Sequence, residues 1–200
     1  MKIIVVIGGI GSGKSTVSKA FRDLGAAFID LDVVGHDILL RDDLKRDLVA
    51  AFGPEIIGAD GEIIRPELAK RAFATPEKTQ VLNEATQPRI IAEAQRQLGV
   101  FEEDGALATV IEISPYDGPE GRFGVFTRMA DAVVAVVAPI EMRVKRAVGR
   151  FSEEDVRNRI ARQATDDERR RWSTHVVVND TTVESLRWEV EEIWDQVVLS

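Results

Sequence analysis

The 200-residue chain has no cysteine. That removes disulfides, thiolate metal sites and cysteine nucleophiles from consideration. Histidine is almost as scarce: with only His36 and His175, a three-histidine metal centre cannot be built, and each is read as a surface or hydrogen-bonded structural residue. Positive charge is in deficit, with 26 Lys and Arg against 34 Asp and Glu and a formal net charge of -8. An acidic surface opposes non-specific attraction to DNA, RNA or anionic lipid, so the expected partner is a small molecule. Long apolar runs are missing too. The run from Ile3 to Ile10 is interrupted by glycines, follows a single Lys2 and carries no cleavage-site pattern, which leads us to expect a cytoplasmic protein with no membrane span. Without cysteine or a long exposed apolar segment, a monomer is expected.

What is present is an ordinary globular composition, 44% hydrophobic and 30% charged. A chain of this length buries roughly 70% of its unfolded surface and makes one α/β domain, residues 1–200. Ile3 to Ile7 is an apolar β-branched run ending in glycine, the pattern of a strand buried on both faces of a parallel sheet. "AAFIDLD", "ALATVIEI", "DAVVAVVA" and "VVVND" read as four further strands. Val17, Ala20, Phe21 and Leu24 recur at helical spacing before Gly25, and Leu186, Val190, Ile193, Trp194 and Val197 make the apolar stripe of a closing helix. Val33 to Phe52 is helical in pattern, and Pro66, Pro76 and Pro88 mark helix starts or boundaries beyond it. The expected fold is a three-layer α/β/α domain around a mostly parallel sheet of about five strands.

Between the first strand and the first helix lies "GGIGSGKST". A dinucleotide fingerprint starting at Gly9 fails, because its sixth position is Lys14. The phosphate-loop pattern GxxxxGK[ST] is met by Gly8, Gly13, Lys14 and Ser15, in the strand-to-helix context that the motif requires. Backbone N–H groups from Gly9 through Ile10, Gly11, Ser12, Gly13 and Lys14 to Ser15 are expected to point at phosphate oxygens, with Thr16 following in the first helical turn. The helix dipole reinforces the site, Lys14 neutralises the β and γ phosphates, and the Ser15 hydroxyl is placed to ligate Mg²⁺. The ligands implied are ATP or GTP with magnesium.

Asp30 and Asp32 fall at the carboxyl end of the second strand, where ligands bind in open parallel sheets. Strand alternation would point them the same way, and Asp32 is the candidate to accept a proton from an acceptor hydroxyl or hold magnesium waters; its structural alternative is an N-cap. Glu112 closes a strand and is either a holder of a magnesium water or a solvated terminus. Residues 142–171 carry ten Lys and Arg against six acids, a window of net +4. Arg143, Arg146 and Arg150 fall on one helical face and Arg159 pairs with Arg162 at i, i+3, while Arg169 to Arg171 read as a solvated face. Arg146, Arg150 and Arg159 suit a lid that meets charge on a transferring phosphoryl group.

In matching order, "GGIGSGKSTV", "FIDLDVVGHDIL", "FGPEIIGADGEIIRPELAKRAFATPEKTQVLNEATQPRI", "VVAVVAPIEMRVKRAVGR", "SEEDVRNRIARQ" and "VVVND" resemble the dephospho-coenzyme A kinase family. The resemblance implies a phosphate-loop kinase core with an acceptor-side helical region about 33–100 and a lid about 143–170. It implies ATP-dependent phosphorylation of the ribose 3′-hydroxyl of dephospho-coenzyme A, with Asp32 as base and with Arg146, Arg150, Arg159 and Gln163 in the lid and nucleotide contacts. Three stretches depart from the family pattern: Gln87-Pro88 stands where His-Pro is usual, "PYDGPEG" from Pro115 replaces an apolar segment, and Ser173 and Thr174 stand where Ala-Asp precedes the last strand. The alternatives are a kinase of another small acceptor, such as a nucleoside or nucleotide, and a nucleotide-binding regulatory module without transfer.

Overall fold

The computed structural model describes residues 1–200. In chain order the elements are β1 Lys2–Gly8, α1 Lys14–Asp23, β2 Ala27–Asp30, α2 Leu31–Asp37, α3 Asp42–Phe52, α4 Arg65–Ala72 and α5 Pro76–Glu103. There follow β3 Ala108–Ile113, α6 Gly124–Met129, β4 Ala132–Val137, α7 Ile140–Ala147, α8 Glu153–Arg162, α9 Asp166–Arg171, β5 His175–Val178 and α10 Val183–Val197. The five strands form one sheet in the order β2-β3-β1-β4-β5, and every pairing is parallel. This is the three-layer α/β/α architecture expected from the apolar runs.

β1 is central because it is apolar on both faces: Ile4, Val5, Val6 and Ile7 are all fully buried. One face joins Ile4, Val6, Val110, Val134 and Val136 to Val17 and Phe21 of α1 and to Leu186, Val190, Ile193 and Trp194 of α10. The other face is covered in part by α9, which packs on β1 and β4. The chain runs from β1 towards β3 and β2 on one side and reaches β4 and β5 on the other. The strand order therefore reverses at the carboxyl end of β1, the switch point where α/β sheets bind ligands.

By its internal contacts the chain divides into two compact units, Met1–Leu31 with Gln97–Ser200, and Asp32–Arg96. The second unit is helical, and its α3 buries Leu44, Leu48 and Phe52. Arg89 ties α5 to α3 through Asp43 at 3.0 Å and Asp47 at 2.6 Å. His36 contacts Arg65, and His175 shares a 2.8 Å hydrogen bond with Thr174, so both histidines have structural partners. No helix is long and apolar enough to cross a membrane.

Three sequence expectations are corrected. Pro88 does not bound a helix: it lies inside the 28-residue α5, whose Ile90, Ala94 and Leu98 stay buried at helical spacing past the proline. Burial of that stripe outweighs the backbone bond that Pro88 cannot donate. Asp32 is not on β2, which ends at Asp30; it stands in the first turn of α2, as neither a strand residue nor an N-cap, so strand alternation does not align it with Asp30. Arg150 is not on a helical face with Arg143 and Arg146, because α7 stops at Ala147 and Gly149 turns the chain at φ +104°.

Candidate active site

The loop after β1 is shaped by glycine where no other residue fits. Gly13 caps α1 in the left-handed region at φ +96°, and a Cβ there would overlap the Asn179 amide. Gly11 is also left-handed, at φ +72°, and its Cβ would overlap the carbonyl of Arg143. Both positions combine a backbone only glycine adopts easily with contact too close for a side chain. α1 then begins at Lys14, so its first-turn amides lie at the loop with the positive end of the dipole.

Lys14 is buried, and its ammonium donates to the carbonyls of Gly8 at 3.1 Å and Gly9 at 3.4 Å. Thus the charge proposed for the β and γ phosphates already lies along the loop. The Ser12 hydroxyl is buried with no hydrogen-bond partner. Not every amide from Gly9 to Ser15 points inward, which corrects the simple cradle: Ile10 N donates to Gln163 Oε1 at 2.9 Å, and Ser12 N to Gly9 O at 3.2 Å. These two N–H groups hold the loop's shape. Thr16 N returns to Gly13 O at 3.0 Å, closing the first turn, and Ser15 is exposed at its start.

The loop is clamped by residues far away in sequence. Arg143 Nε donates to Ile10 O at 3.0 Å, so the Ile10 peptide is held at both ends, by Gln163 and by Arg143. Asn179 donates from Nδ2 to Ser12 O at 2.8 Å. Arg146 donates to Asn179 O at 3.1 Å and Oδ1 at 3.2 Å, which links α7 to the end of β5 and on to the loop. Ile10 also packs beside a small core of Val144, Ala147 and Val156 that joins α7 to α8. Across those helices Arg157 binds Glu141 at 2.9 Å and 3.0 Å and Glu153 at 2.9 Å.

Arg143 belongs to a buried charge cluster. Asp166 Oδ1 lies 2.8 Å from Arg169 Nη1 and 3.4 Å from Arg143 Nη1, and the two arginine side chains are only 2% and 3% exposed. Burial pushes both guanidinium pKa values down, against the pull of Asp166. Arg169 is therefore not part of a solvated face, in contrast to the reading of the run Arg169 to Arg171; Arg170 and Arg171 are exposed. Arg159 is exposed on α8 with its guanidinium 4.5 Å above the Phe151 ring, and Arg150 is exposed in the turn before α8.

At the carboxyl edge of the sheet, Asp30 and Glu112 are register partners on β2 and β3. Glu112 is no solvated terminus: its Oε2 accepts from the buried Ser18 hydroxyl on α1 at 2.7 Å. No group of three His, Cys, Asp or Glu side chains forms a ready metal site. The oxygen donors at hand are the Ser15 hydroxyl and carboxylates, the hard set that suits Mg²⁺ arriving with nucleotide phosphates.

A glycine-shaped loop at the switch point of a parallel sheet, with a buried lysine and a helix N-terminus, defines a phosphate-loop nucleotide-binding protein. The comparisons show the same fold in a shikimate kinase from Acinetobacter baumannii, at a TM-score of 0.57 with 14% identity over 100% of this chain and 94% of its own. They also narrow the class. The sequence model of the dephospho-CoA kinase family matches residues 2–185. A dephospho-CoA kinase of Corynebacterium glutamicum is 37% identical over 198 residues, which is 98% of this chain and 96% of that protein. Another, from Moorella thermoacetica, is 35% identical over 98% of this chain and 92% of its own length. The solved structure of TT1252 from Thermus thermophilus has a TM-score of 0.81 at 29% identity, covering 98% of this chain and 97% of that one. The chain belongs to the dephospho-CoA kinase family.

The clamp was the part least visible in the sequence. Gln163 was reached through the resemblance alone, and Arg143 was noted only as a charge on a face. Asn179 and Asp166 were not singled out. The one local hint for Asn179 was its place at the end of an apolar strand run, at a carboxyl edge.

Proposed function

We propose that this protein transfers the γ-phosphoryl group of ATP to the ribose 3′-hydroxyl of dephospho-CoA, giving coenzyme A and ADP. The observation that carries the reading is the clamped phosphate loop in a chain that matches the dephospho-CoA kinase family over residues 2–185. Asp32 takes the proton of the 3′-hydroxyl as its oxygen bonds to the γ phosphorus and the bond to the β,γ-bridging oxygen breaks. Lys14 and the amides around Gly9, Gly11, Gly13 and Ser15 hold the β and γ phosphates, with the Thr16 side chain beside them. Ile10 and Ser12 serve the same site by fixing the loop's shape. Arg146 and Arg150 meet the charge that builds on the equatorial oxygens, and Arg159 contacts the nucleotide phosphates. Ser15 and Asp32 are the residues that would hold Mg²⁺, which when bound neutralises phosphate charge. The reading includes a cytoplasmic monomer acting on small-molecule substrates.

The test is transfer with ATP and Mg²⁺, followed by acceptor mass, with dephospho-CoA beside a panel of nucleosides and nucleotides. The expected result is a gain of about 80 Da, one phosphoryl group, on dephospho-CoA. A gain on a nucleoside or nucleotide with none on dephospho-CoA would transfer the reading to another acceptor, and no transfer to any acceptor would leave a binding module. For Asp32→Asn, kcat is expected to collapse while ATP affinity is kept; equal loss of ATP binding would refute the base assignment.

A further inference from the structure

Gln163, which accepts from Ile10 N in the phosphate loop, also lines a cavity of about 320 Å³ together with Tyr116, Asp117, Arg122, Arg159 and Arg162. Three guanidinium groups and one carboxylate face this space, a local charge of about +2 in a chain of formal charge -8. The carboxylate is committed to the wall itself: Asp117 accepts from Arg122 N and from Arg122 Nε, each at 3.1 Å. Arg159 lies over the Phe151 ring, an arrangement that keeps its in-plane N–H donors available to a ligand.

The wall is built from "PYDGPEG", the segment that departs from the family pattern. It is packed rather than loose. Tyr116 is 3% exposed, shares a 2.8 Å hydrogen bond with Thr127 and meets the Trp172 ring edge-on at 5.6 Å. Gly118 passes so close to Trp172 that a Cβ there would lie 3.2 Å from the ring, and a Cβ on Gly124 would overlap the Pro119 carbonyl. A positive cavity held in shape before any ligand arrives is a preorganised anion site.

Which anion it takes follows from the reaction proposed above, on which this inference rests. The phosphates of ATP belong to the loop amides, Lys14 and Arg159, which leaves Arg122 and Arg162 among the cavity's cations for a second anion. The acceptor brings its own anion: the ribose that carries the reacting 3′-hydroxyl carries a diphosphate diester on its 5′ carbon, with about one negative charge per phosphate. We propose that the cavity between the 115–121 segment and the end of α8 is the subsite for that 5′-diphosphate, with Arg122 and Arg162 as its charge-bearing ligands. These two cations face the two charges of the diester, and the planar forks of arginine match phosphate oxygens. In this protein the departed segment would thus shape acceptor recognition by holding Arg122, the residue that follows it, through Asp117.

The experiment is steady-state kinetics of wild type, Arg122→Gln and Arg162→Gln, varying dephospho-CoA at saturating ATP and then ATP at saturating dephospho-CoA. Loss of one charged contact is expected to raise KM for dephospho-CoA by about tenfold or more, with KM for ATP and kcat within about twofold of wild type. An unchanged acceptor KM in both variants overturns the proposal, and so does an equal rise in KM for ATP, which would hand the cavity to the nucleotide. A second measurement needs only the wild-type protein: ADP-ribose, which carries the adenosine 5′-diphosphate diester, should compete with dephospho-CoA at a Ki about tenfold or more below that of adenosine. Equal Ki values overturn the subsite. A wild-type protein that leaves dephospho-CoA unphosphorylated refutes the activity itself, whereas turnover with unaltered KM values in the variants refutes only the subsite.

Discussion

Removing Asp166 is the sharpest test of how the phosphate loop is held. Its carboxylate is the sole acid bonded to two nearly inaccessible cations, Arg143 and Arg169, whose side chains are 3% and 2% exposed. Breaking a buried ion pair by deleting one partner costs about 3–5 kcal/mol, because the remaining charge stays desolvated. Asp166 itself is 28% exposed, so water screens part of the interaction. We therefore expect Asp166→Ala to cost about 2–4 kcal/mol, a fall in Tm of roughly 4–15 °C for a chain of this size. Deleting a cation should have the opposite character. In Arg169→Met the cluster goes from two positive charges and one negative to a balanced pair, and the apolar replacement fills the volume, so the cost should stay below about 1 kcal/mol. Urea denaturation of both variants, with the midpoint and slope fitted separately, reads the difference. A cost for Arg169→Met equal to or above that of Asp166→Ala would refute the charge argument and make the cluster a matter of packing alone.

Other outcomes follow from the same geometry. Gly9→Ala drives a Cβ into the Arg143 guanidinium and to within 3.2 Å of Gln163 Oε1, so KM for ATP should rise about tenfold or more. Adding Arg143→Ala to Gly9→Ala should recover part of that loss, and a double variant worse than the sum of the two singles would contradict the overlap. Lys14→Ala should lower kcat/KM by about 3 kcal/mol in transition-state terms, the scale of one preorganised electrostatic contact; turnover at the wild-type level would remove Lys14 from the site. In the helical unit, hydrogen bonds from Arg89 and Arg41 hold the Asp43 carboxyl down to about 2, from an ordinary value of 3.8. A depressed folded-state pKa means this contribution is fully present above 3.8 and is lost as pH falls towards 2, so the stability gap between wild type and Arg89→Ala should close over that window. A gap of constant size down to pH 2 would show that Arg89 acts through packing.

How much of this was legible depends on whether the signal is local. β1, β3 and β4 could be read because a strand buried on both faces needs an unbroken apolar run, and the loop because phosphate binding fixes its spacing. Helix ends were harder. Arg150 has the i, i+7 spacing of a face shared with Arg143, but one glycine at φ +104° ends the helix first. Pro88 carries a boundary signal that is overruled by Ile90, Ala94 and Leu98, whose burial is decided elsewhere in the fold. Arg169 sits in an Arg-Arg-Arg run that locally reads as solvated. Only the fold brings Asp166 to both Arg169 and Arg143, and Arg143 in turn to Ile10, 133 positions away.

The clamp also changes what the loop glycines mean. Phosphate binding explains why side chains are excluded from the inner side of such a loop. Here Gly9, Gly11 and Gly13 are pressed from the protein side as well, by the Arg143 guanidinium, the Arg143 carbonyl and the Asn179 amide. The Arg143 guanidinium and the Asn179 amide also hold the Ile10 and Ser12 carbonyls, and Gln163 holds Ile10 N, before nucleotide arrives. A loop already in its binding shape has less ordering left to do when ATP enters, so more of the phosphate contact energy is left for the transition state. The residues doing the holding lie on α7, at the end of α8 and just beyond β5, while the anion cavity uses Arg159, Arg162 and Gln163 from the same stretch. Gln163 lines the cavity and accepts from Ile10 N, so its amide connects the proposed acceptor subsite to the phosphate loop.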